Sequence, residues 1–425
     1  MFKEIIDYLK DPQLVAVIQE FFGVDIPKNT VDKIQENVLN SSQELTATKR
    51  NGIPRELRDN TVQNDLRKNN NTEDDINLLN LTEINNYNSS SSKINNQFWY
   101  YLFMFGTELG DETFYSAFIP FLFWNIDGIV GRKIVIIWAI VMTIGQVMKD
   151  IICWPRPACP PAVRLQNKWS QEYGMPSTHA MIGVAIPFSV ILFTMNRYNY
   201  SIPAGYTVAI IWCMLVCISR LYLGMHTLLD VIAGILLAIL LMTPLVPFIN
   251  IADHYFVTNG WTLAVLILIT IGTIVYYPKS DRWTPTRGDT TLVVGVAVGL
   301  YLGAYLNYKT RTTHEPIDVP PYDIVWPTFQ IFGKTILRTI LGYCIIILMK
   351  IICKTLGYAI MGSMLRVNWK ELMNSENSLE NKNKVFVDLT YKYILAFTCG
   401  IIIVHIMPNI YLKIGIDRPN FKWEM

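Results

Sequence analysis

Charged residues are scarce in this chain of 425 residues. Asp, Glu, Lys and Arg make up 16% of the sequence, against 51% hydrophobic residues, and the formal net charge is +2. Neither this balance nor any local run of Lys and Arg indicates a nucleic-acid-binding protein. The composition is instead typical of a membrane protein.

Paired cysteine motifs are also missing. The seven cysteines are an odd number and include no Cys-x2-Cys pair, so the sequence predicts neither a zinc site nor a disulfide framework. Cys153 and Cys159 share one loop and could pair if that loop is lumenal, although we favour free thiols. The first residues, Met1-Phe-Lys-Glu, lead into a helical pattern that contains charges throughout, so no cleavable signal peptide is predicted.

The N-terminal quarter of the chain contains two segments of different character. Residues 1–26 form an amphipathic pattern interrupted by Pro12, which indicates either a helix on a membrane surface or partner, or a short helix packed on the rest of the protein. Residues 27–96 are polar and rich in Asn and Ser, so we predict a low-complexity, disordered linker. Sequons at Asn70 and Asn80 fall within it and matter only if this arm is lumenal.

Nine apolar runs follow, centred near residues 119, 141, 188, 211, 240, 269, 298, 347 and 402. An α-helix needs about 20 residues to cross a bilayer, so the runs predict an all-α, polytopic transmembrane bundle of about nine membrane helices. Eight or ten crossings remain open, because 98–126 contains acidic residues and 333–364 is unusually long. For the acidic cluster Glu108, Asp111 and Glu112, an interfacial position is favoured over a substrate contact.

Three glycines in the apolar run 290–306 have a spacing that indicates helix packing. Gly295, Gly299 and Gly303 lie four residues apart on one face of an apolar run. Missing side chains at this spacing let a second helix approach closely, so we predict a helix-packing face rather than a reactive site.

Three short polar pieces lie where apolar runs begin or end. They are Lys149-Asp-Ile-Ile-Cys-Trp-Pro-Arg156-Pro157, Pro176-Ser177-Thr178-His179, and Ser219-Arg220-Leu-Tyr-Leu-Gly-Met-His226-Thr-Leu-Leu-Asp230. If the intervening runs cross the membrane, the pieces all meet on one face. Together they supply cations, two histidines and a carboxylate, which are the groups needed to bind a phosphate and cleave its ester covalently.

The first group of candidate residues binds phosphate. Lys149, Arg156 and Arg220 are the cations, since an ammonium and guanidinium groups suit phosphate oxygens, although each alone could be an interfacial side chain. Ser177 and the amide of Thr178 lie at a helix start, where unpaired N–H groups favour an anion. The alternative role of Ser177 is a helix cap.

The second group is catalytic. His226 precedes Asp230 by four residues, a spacing that lets the carboxylate hold one ring nitrogen, so His226 is the candidate nucleophile. His179 has no such partner in its segment and is the candidate general acid. His254, His314 and His405 fall outside the three pieces, and we predict interface or core roles for them. The candidate set contains one carboxylate, Asp230, so neither a metal nor another cofactor is predicted.

The spacing of these pieces resembles that of the type 2 phosphatidic acid phosphatase superfamily, which includes lipid phosphatases, glucose-6-phosphatase and vanadium haloperoxidases. Thr178 stands where the superfamily usually has Gly. That threonine, in the string Glu172-Tyr-Gly-Met-Pro-Ser-Thr-His-Ala-Met181, is similar to the sphingosine-1-phosphate phosphatases in particular. So are Phe105-Gly-Thr-Glu-Leu109 and Leu9-Lys-Asp-Pro-Gln13. The resemblance extends to about Gly303.

This resemblance implies a division of the chain and a function. It implies that residues 97–252 form the catalytic membrane core and that residues 253–425 add C-terminal membrane helices. It implies hydrolysis of sphingosine 1-phosphate and related long-chain base phosphates through a phosphohistidine, in the endoplasmic reticulum membrane with the site facing the lumen. The Lys and Arg residues outside the site are balanced between the two faces, so the charge pattern itself does not orient the chain.

Two rivals to this function remain open. One is a broader lipid phosphatase or a sugar phosphatase of the same superfamily. The other is a transporter or lipid-binding membrane protein that keeps an anion pocket without turnover. The oligomeric state is not predicted.

Overall fold

A computed structural model describes residues 2–25, 93–280, 282–314, 320–324, 326–375, 381–418 and 421–424. Residues 27–92 of the predicted linker, with both sequons, lie outside the described residues. The chain divides into two compact units. The smaller unit contains Met1–Phe103, Arg156–Lys168 and Leu221–Leu228, and the larger contains Met104–Pro155, Trp169–Arg220 and Leu229–Met425.

Helices dominate the described residues, and the all-α prediction is confirmed. The helices are α1 Phe2–Leu9, α2 Pro12–Phe21, α3 Gln97–Glu108, α4 Glu112–Asn125, α5 Gly128–Ile152, α6 Thr178–Thr194, α7 Ile202–Tyr222, α8 Leu228–Thr258, α9 Gly260–Val275, α10 Thr286–Lys309, α11 Phe329–Leu365, α12 Trp369–Asn374, α13 Lys382–Ile401, a π-helix Ile402–Ile406, α14 Met407–Ile414 and a 3-10 turn Phe421–Trp423. Strands β1 Val24–Asp25 and β2 Lys93–Ile94 pair antiparallel, and β3 Tyr198–Asn199 and β4 Tyr322–Asp323 pair parallel.

Six helical segments of the described chain are long and apolar enough to cross a membrane. They are α5, α7, α8, α10, α11 and the continuous segment Lys382–Ile414. The apolar helices α6 and α9 are shorter, at 17 and 16 residues. Each of the nine predicted runs has its centre inside a helix, but a count of nine crossings stays a prediction.

The acidic cluster explains why the run 98–126 forms two helices instead of one. Helix α3 ends at Glu108, and α4 begins at Glu112. The Asp111 carboxylate accepts a hydrogen bond from the Thr113 backbone N–H at 3.0 Å, and therefore caps α4. The side chain of Asp111 is buried, at 1% exposure, so it is not a freely solvated interfacial charge.

The core of the larger unit is built around α5 and α10. Ile134 and Ile137 on α5 are fully buried within the main apolar cluster. Gly295 and Gly299 of α10 lie against Ala396 and the Phe397 carbonyl of α13, so a side chain at either glycine would collide with that helix. The predicted glycine face is therefore a close helix contact.

A buried ion pair stabilises the first half of α5. The Arg132 guanidinium donates two hydrogen bonds to the Asp253 carboxylate of α8, at 2.9 and 3.0 Å. The Tyr301 hydroxyl of α10 donates to the same carboxylate at 2.8 Å. Because both charges are buried and fully engaged, they join three membrane helices at the end of α5 that lies away from Lys149.

Helix α2 is packed inside the smaller unit. Of the two alternatives for the N-terminal segment, this helix therefore matches a short helix packed on the rest of the protein. The fully buried Gln19 amide donates to the carbonyls of Val163 and Tyr222, at 2.6 and 2.8 Å. Its carbonyl oxygen accepts the Val163 N–H at 2.9 Å. One side chain thus joins two loops that lie far apart in the sequence, around Val163 and after Tyr222.

Replacing Gln19 by Ala should destabilise the protein, because the buried Val163 N–H loses its partner. An unsatisfied buried donor costs about 1–3 kcal/mol, so we expect a lower melting temperature for the detergent-solubilised full chain. Gln13→Ala on the same helix is the matched control, since Gln13 is exposed and its loss should change stability by less than about 0.5 kcal/mol. Equal melting temperatures for the two variants would contradict the role assigned to Gln19.

Candidate active site

Lys149 lies in the last turn of α5 and is paired with Glu172, which is not among the predicted site residues. Its Nζ is 2.5 Å from Glu172 Oε2, and the two side chains are 1% and 8% exposed. A buried ammonium needs such a partner, so Glu172 holds Lys149 at the helix end. Glu172 is also a second carboxylate beside the predicted Asp230. The sequence feature that could have identified Glu172 is its position in the string Glu172–Met181, which carries the family resemblance.

The segment Ser177–His179 begins α6, as the sequence predicts. Ser177 is the N-cap residue, and its Oγ accepts the Ala180 N–H at 3.5 Å. The Ser177 N–H donates to the Asp230 carbonyl at 3.1 Å, which joins the start of α6 to the first turn of α8. Ser177 therefore acts as a helix cap, which was the alternative to phosphate binding. A contact between Ser177 and phosphate stays a prediction.

Thr178 is accommodated by a glycine on the neighbouring helix. A Cβ at Gly145 of α5 would lie 3.1 Å from the Thr178 methyl group and 2.7 Å from Met181 Sδ. Gly145 is one turn before Lys149, so its missing side chain lets the start of α6 approach the end of α5. The larger Thr178, where the superfamily usually has Gly, is thus matched by a small residue opposite.

His179 is almost buried, at 9% exposure, between a glycine and an aromatic ring. The Cβ position of Gly110 lies 3.0 Å from its Cδ2, and the Trp169 ring centroid is 6.5 Å from its own. The Trp169 indole N–H donates to Asp111 at 3.2 Å. Asp111 therefore caps α4 and orients the aromatic ring that packs against His179.

Arg220 and Asp230 are both fully buried in the larger unit. Arg220 lies in the last turn of α7 and donates from Nη1 to Thr107 Oγ1 at 2.5 Å. Asp230 lies in the first turn of α8, and the Cβ position of Gly174 is 3.2 Å from its Oδ2. Thr107 was not predicted either, although it belongs to the string Phe105–Leu109 that supports the resemblance.

The smaller unit brings Arg156 and His226 together. The Arg156 Nη1 donates to the Met225 carbonyl at 2.7 Å and lies 3.5 Å from His226 Nε2. Gly224 has a φ of +66°, and a Cβ there would collide with the Val163 carbonyl oxygen. Glycine thus permits the close packing of the two loops that carry Arg156 and His226.

The predicted residues therefore fall into two groups that short stretches of chain connect. Arg156 and His226 are in contact in the smaller unit. The larger unit contains the other six, which are Lys149, Ser177, Thr178, His179, Arg220 and Asp230. Within that unit, hydrogen bonds and close packing relate the ends of α5, α6 and α8.

Part of the chain matches a known protein family. The profile of the PAP2 superfamily matches residues 131–252, a range that contains all eight candidate residues. Sphingosine-1-phosphate phosphatase 1 of Rattus norvegicus is 38% identical over 327 residues, which are 77% of this chain and 75% of the relative. Sphingosine-1-phosphate phosphatase 2 of Mus musculus is 34% identical over 330 residues, 76% of this chain and 90% of the relative.

More distant relatives share a shorter region. Lipid phosphate phosphatase delta of Arabidopsis thaliana is 27% identical over 210 residues, 46% of this chain and 49% of the relative. No solved structure matches the chain. The mammalian relatives, together with the apolar helices, identify this chain as a multi-pass membrane protein of the sphingosine-1-phosphate phosphatase family within the PAP2 superfamily.

Proposed function

We propose that the protein is a phosphomonoesterase that converts sphingosine 1-phosphate and related long-chain base phosphates to the free base and phosphate. The observation that carries this proposal is the contact between Arg156 and His226, because it puts an anion-binding guanidinium 3.5 Å from a ring nitrogen able to attack phosphorus. Family membership supports the substrate class, since the two mammalian relatives are named for sphingosine 1-phosphate.

In the proposed first step, His226 Nε2 attacks phosphorus and the ester P–O bond breaks. His179 gives a proton to the leaving alkoxide, which departs as the long-chain base. To Asp230 we assign the role of keeping the His226 ring in the reactive orientation. His226 lies two residues before α8, so the four-residue spacing is not a pairing on one helix face, and the role of Asp230 stays a prediction.

In the second step, water replaces the histidine. His179, now deprotonated, accepts a proton from a water molecule while the oxygen of that water attacks phosphorus. The P–N bond to His226 then breaks, which releases phosphate and restores the free histidine. Lys149, Arg156 and Arg220 bind the phosphoryl oxygens throughout, with Ser177 and the amide of Thr178 at the start of α6. These cations stabilise the charge of the transition state, so we assign no step to a metal.

The setting that we propose is the endoplasmic reticulum membrane, with the site on the lumenal face. Membrane helices that end at the site suit a substrate whose chain stays in the bilayer while its phosphate reaches the polar end. Lys149 and Arg220 lie in the last turns of α5 and α7, and Asp230 lies in the first turn of α8, which supports such a position.

A substrate panel tests the proposed specificity. Purified full chain in mixed micelles should release phosphate from sphingosine 1-phosphate with a kcat/KM at least about tenfold higher than from phosphatidic acid or glucose 6-phosphate. Equal values for the two lipids would instead favour a broad lipid phosphatase. Binding of sphingosine 1-phosphate without any phosphate release would favour the transporter or lipid-binding alternative.

Replacement of His226 and replacement of His179 should reduce turnover in different ways. His226→Ala removes the nucleophile, so turnover should be lost on every substrate. His179→Ala removes the general acid, so turnover should fall about 10²–10⁴-fold on the lipid but recover in part on an activated ester whose leaving group needs no proton. Asp230→Asn should be intermediate between these variants, because the His226 ring is retained in a poorer orientation.

The matched control for these variants is His254→Ala, since His254 is exposed and lies outside the three polar pieces. Its turnover should equal that of the wild type on both substrates. If His226→Ala regained part of its turnover on the activated ester while His179→Ala regained none, the two assigned roles would be reversed.

A further inference from the structure

A cavity of about 500 Å³ in the larger unit has no role in the proposed reaction. It lies between the loop that connects α9 to α10 and the first turns of α13, with Asp150 of α5 at its wall. None of the eight candidate site residues lines it. Its own side chains therefore determine what it can bind.

Positive charge predominates in the wall. Among the described residues, six cations and two carboxylates line the cavity, namely Lys279, Arg282, Arg287, Lys382, Lys384, Lys392, Asp150 and Asp388. Asp281 lies outside the described residues, and counting its charge still leaves the cations in excess. Such a concentration of positive charge in a concave site attracts an anion.

Two of these cations are engaged in holding the wall together. Arg287 donates to the Ile274 carbonyl at 2.9 Å, at the end of α9. Lys384 is buried and donates to the carbonyls of Leu372, Met373 and Ser375. Both side chains satisfy helix-end carbonyls, so they contribute mainly to the shape of the cavity.

The remaining cations are available to a ligand. Lys279, Arg282 and Lys382 are exposed where they line the cavity. Lys392 is 24% exposed and lies 3.8 Å from Asp289, a separation that leaves a weak ion pair. A phosphate group offers several acceptor oxygens, which suits ammonium and guanidinium donors converging from different elements.

The same cavity has an apolar side. Trp283, Phe386 and Leu389 belong to its wall, and Phe386 is 53% exposed. The cavity lies beside the end of α5 and the beginnings of α10 and α13, and these helices belong to segments that are long and apolar enough to cross a membrane. Cations next to exposed apolar side chains at this position fit an amphiphile, and basic pockets between membrane helices are suited to anionic lipid headgroups.

The cavity adjoins the active site through chain neighbours of the Lys149–Glu172 pair. Asp150 follows Lys149 and accepts hydrogen bonds from Tyr277 and Thr284, at 3.1 and 3.3 Å, so it anchors the cavity loop to α5. Burial, together with the nearby Asp150 charge, raises the pKa of Tyr277, which keeps this hydroxyl a donor. The Arg282 guanidinium lies 4.4 Å from the ring centroid of Tyr173, the residue after Glu172.

We propose that this cavity is a second anion site, which binds the phosphate headgroup of an anionic membrane lipid next to the active site. Lys279, Arg282 and Lys382 contact the phosphate, and the lipid chains lie against Phe386 and Leu389. The bound lipid is a ligand rather than a substrate, because the two candidate histidines do not line the cavity.

Binding of a phosphodiester lipid tests this proposal without depending on turnover. Native mass spectrometry of the detergent-solubilised full chain, titrated with dioctanoyl phosphatidylglycerol, should show one bound lipid. A Lys279→Ala/Lys382→Ala variant should bind it roughly 30-fold more weakly, since each basic residue near a membrane surface contributes about a factor of five. Lys279→Arg/Lys382→Arg keeps both charges and should bind nearly as well as the wild type.

The matched control is Lys309→Ala/Lys413→Ala, which removes two exposed lysines outside the cavity. It should change the affinity less than about twofold, and the KM for sphingosine 1-phosphate should be unchanged in all these variants. Failure of the wild type to bind the lipid, or an equal loss in the two alanine pairs, would overturn the proposal. Binding of inorganic phosphate that requires Lys279 and Lys382, without lipid binding, would also overturn it by identifying a soluble ligand.

Discussion

A charged side chain can be buried at the end of a membrane helix only if a polar group meets it there, and much of the local structure near the candidate site satisfies this constraint. Lys149 is paired with Glu172, and Arg220 donates to Thr107. In the smaller unit, Arg156 donates to the Met225 carbonyl. Because the partners come from other segments, each of these cations also fixes a loop or helix end near the candidate phosphate-binding residues.

Much of the architecture follows from local patterns that a sequence reveals. Nine apolar runs correspond to helices, and the spacing of Gly295, Gly299 and Gly303 correctly indicates a close helix contact. The break between α3 and α4 is less evident, because Asp111 acts as a cap there and not as a solvated charge. The π-helix Ile402–Ile406 is a further departure that apolar periodicity does not indicate.

The supporting residues of the site are harder to predict, because their partners are distant in the sequence. Gln19 contacts backbone groups 144 and 203 residues away, and no local pattern specifies those contacts. Glu172 lies in an irregular loop, where no periodicity indicates its direction. Thr178 could be recognised as a departure from the superfamily, but the space left by Gly145 on another helix becomes apparent only in three dimensions.

The central claim is that phosphate passes through a covalent bond to His226. The most direct test is to quench the full chain during turnover of sphingosine 1-phosphate labelled in its phosphate, and to map the label after proteolysis. The account predicts an acid-labile phosphate on the peptide that contains His226, bonded to the histidine nitrogen. Label on His179, or turnover without any labelled peptide under conditions that preserve phosphohistidine, would contradict it.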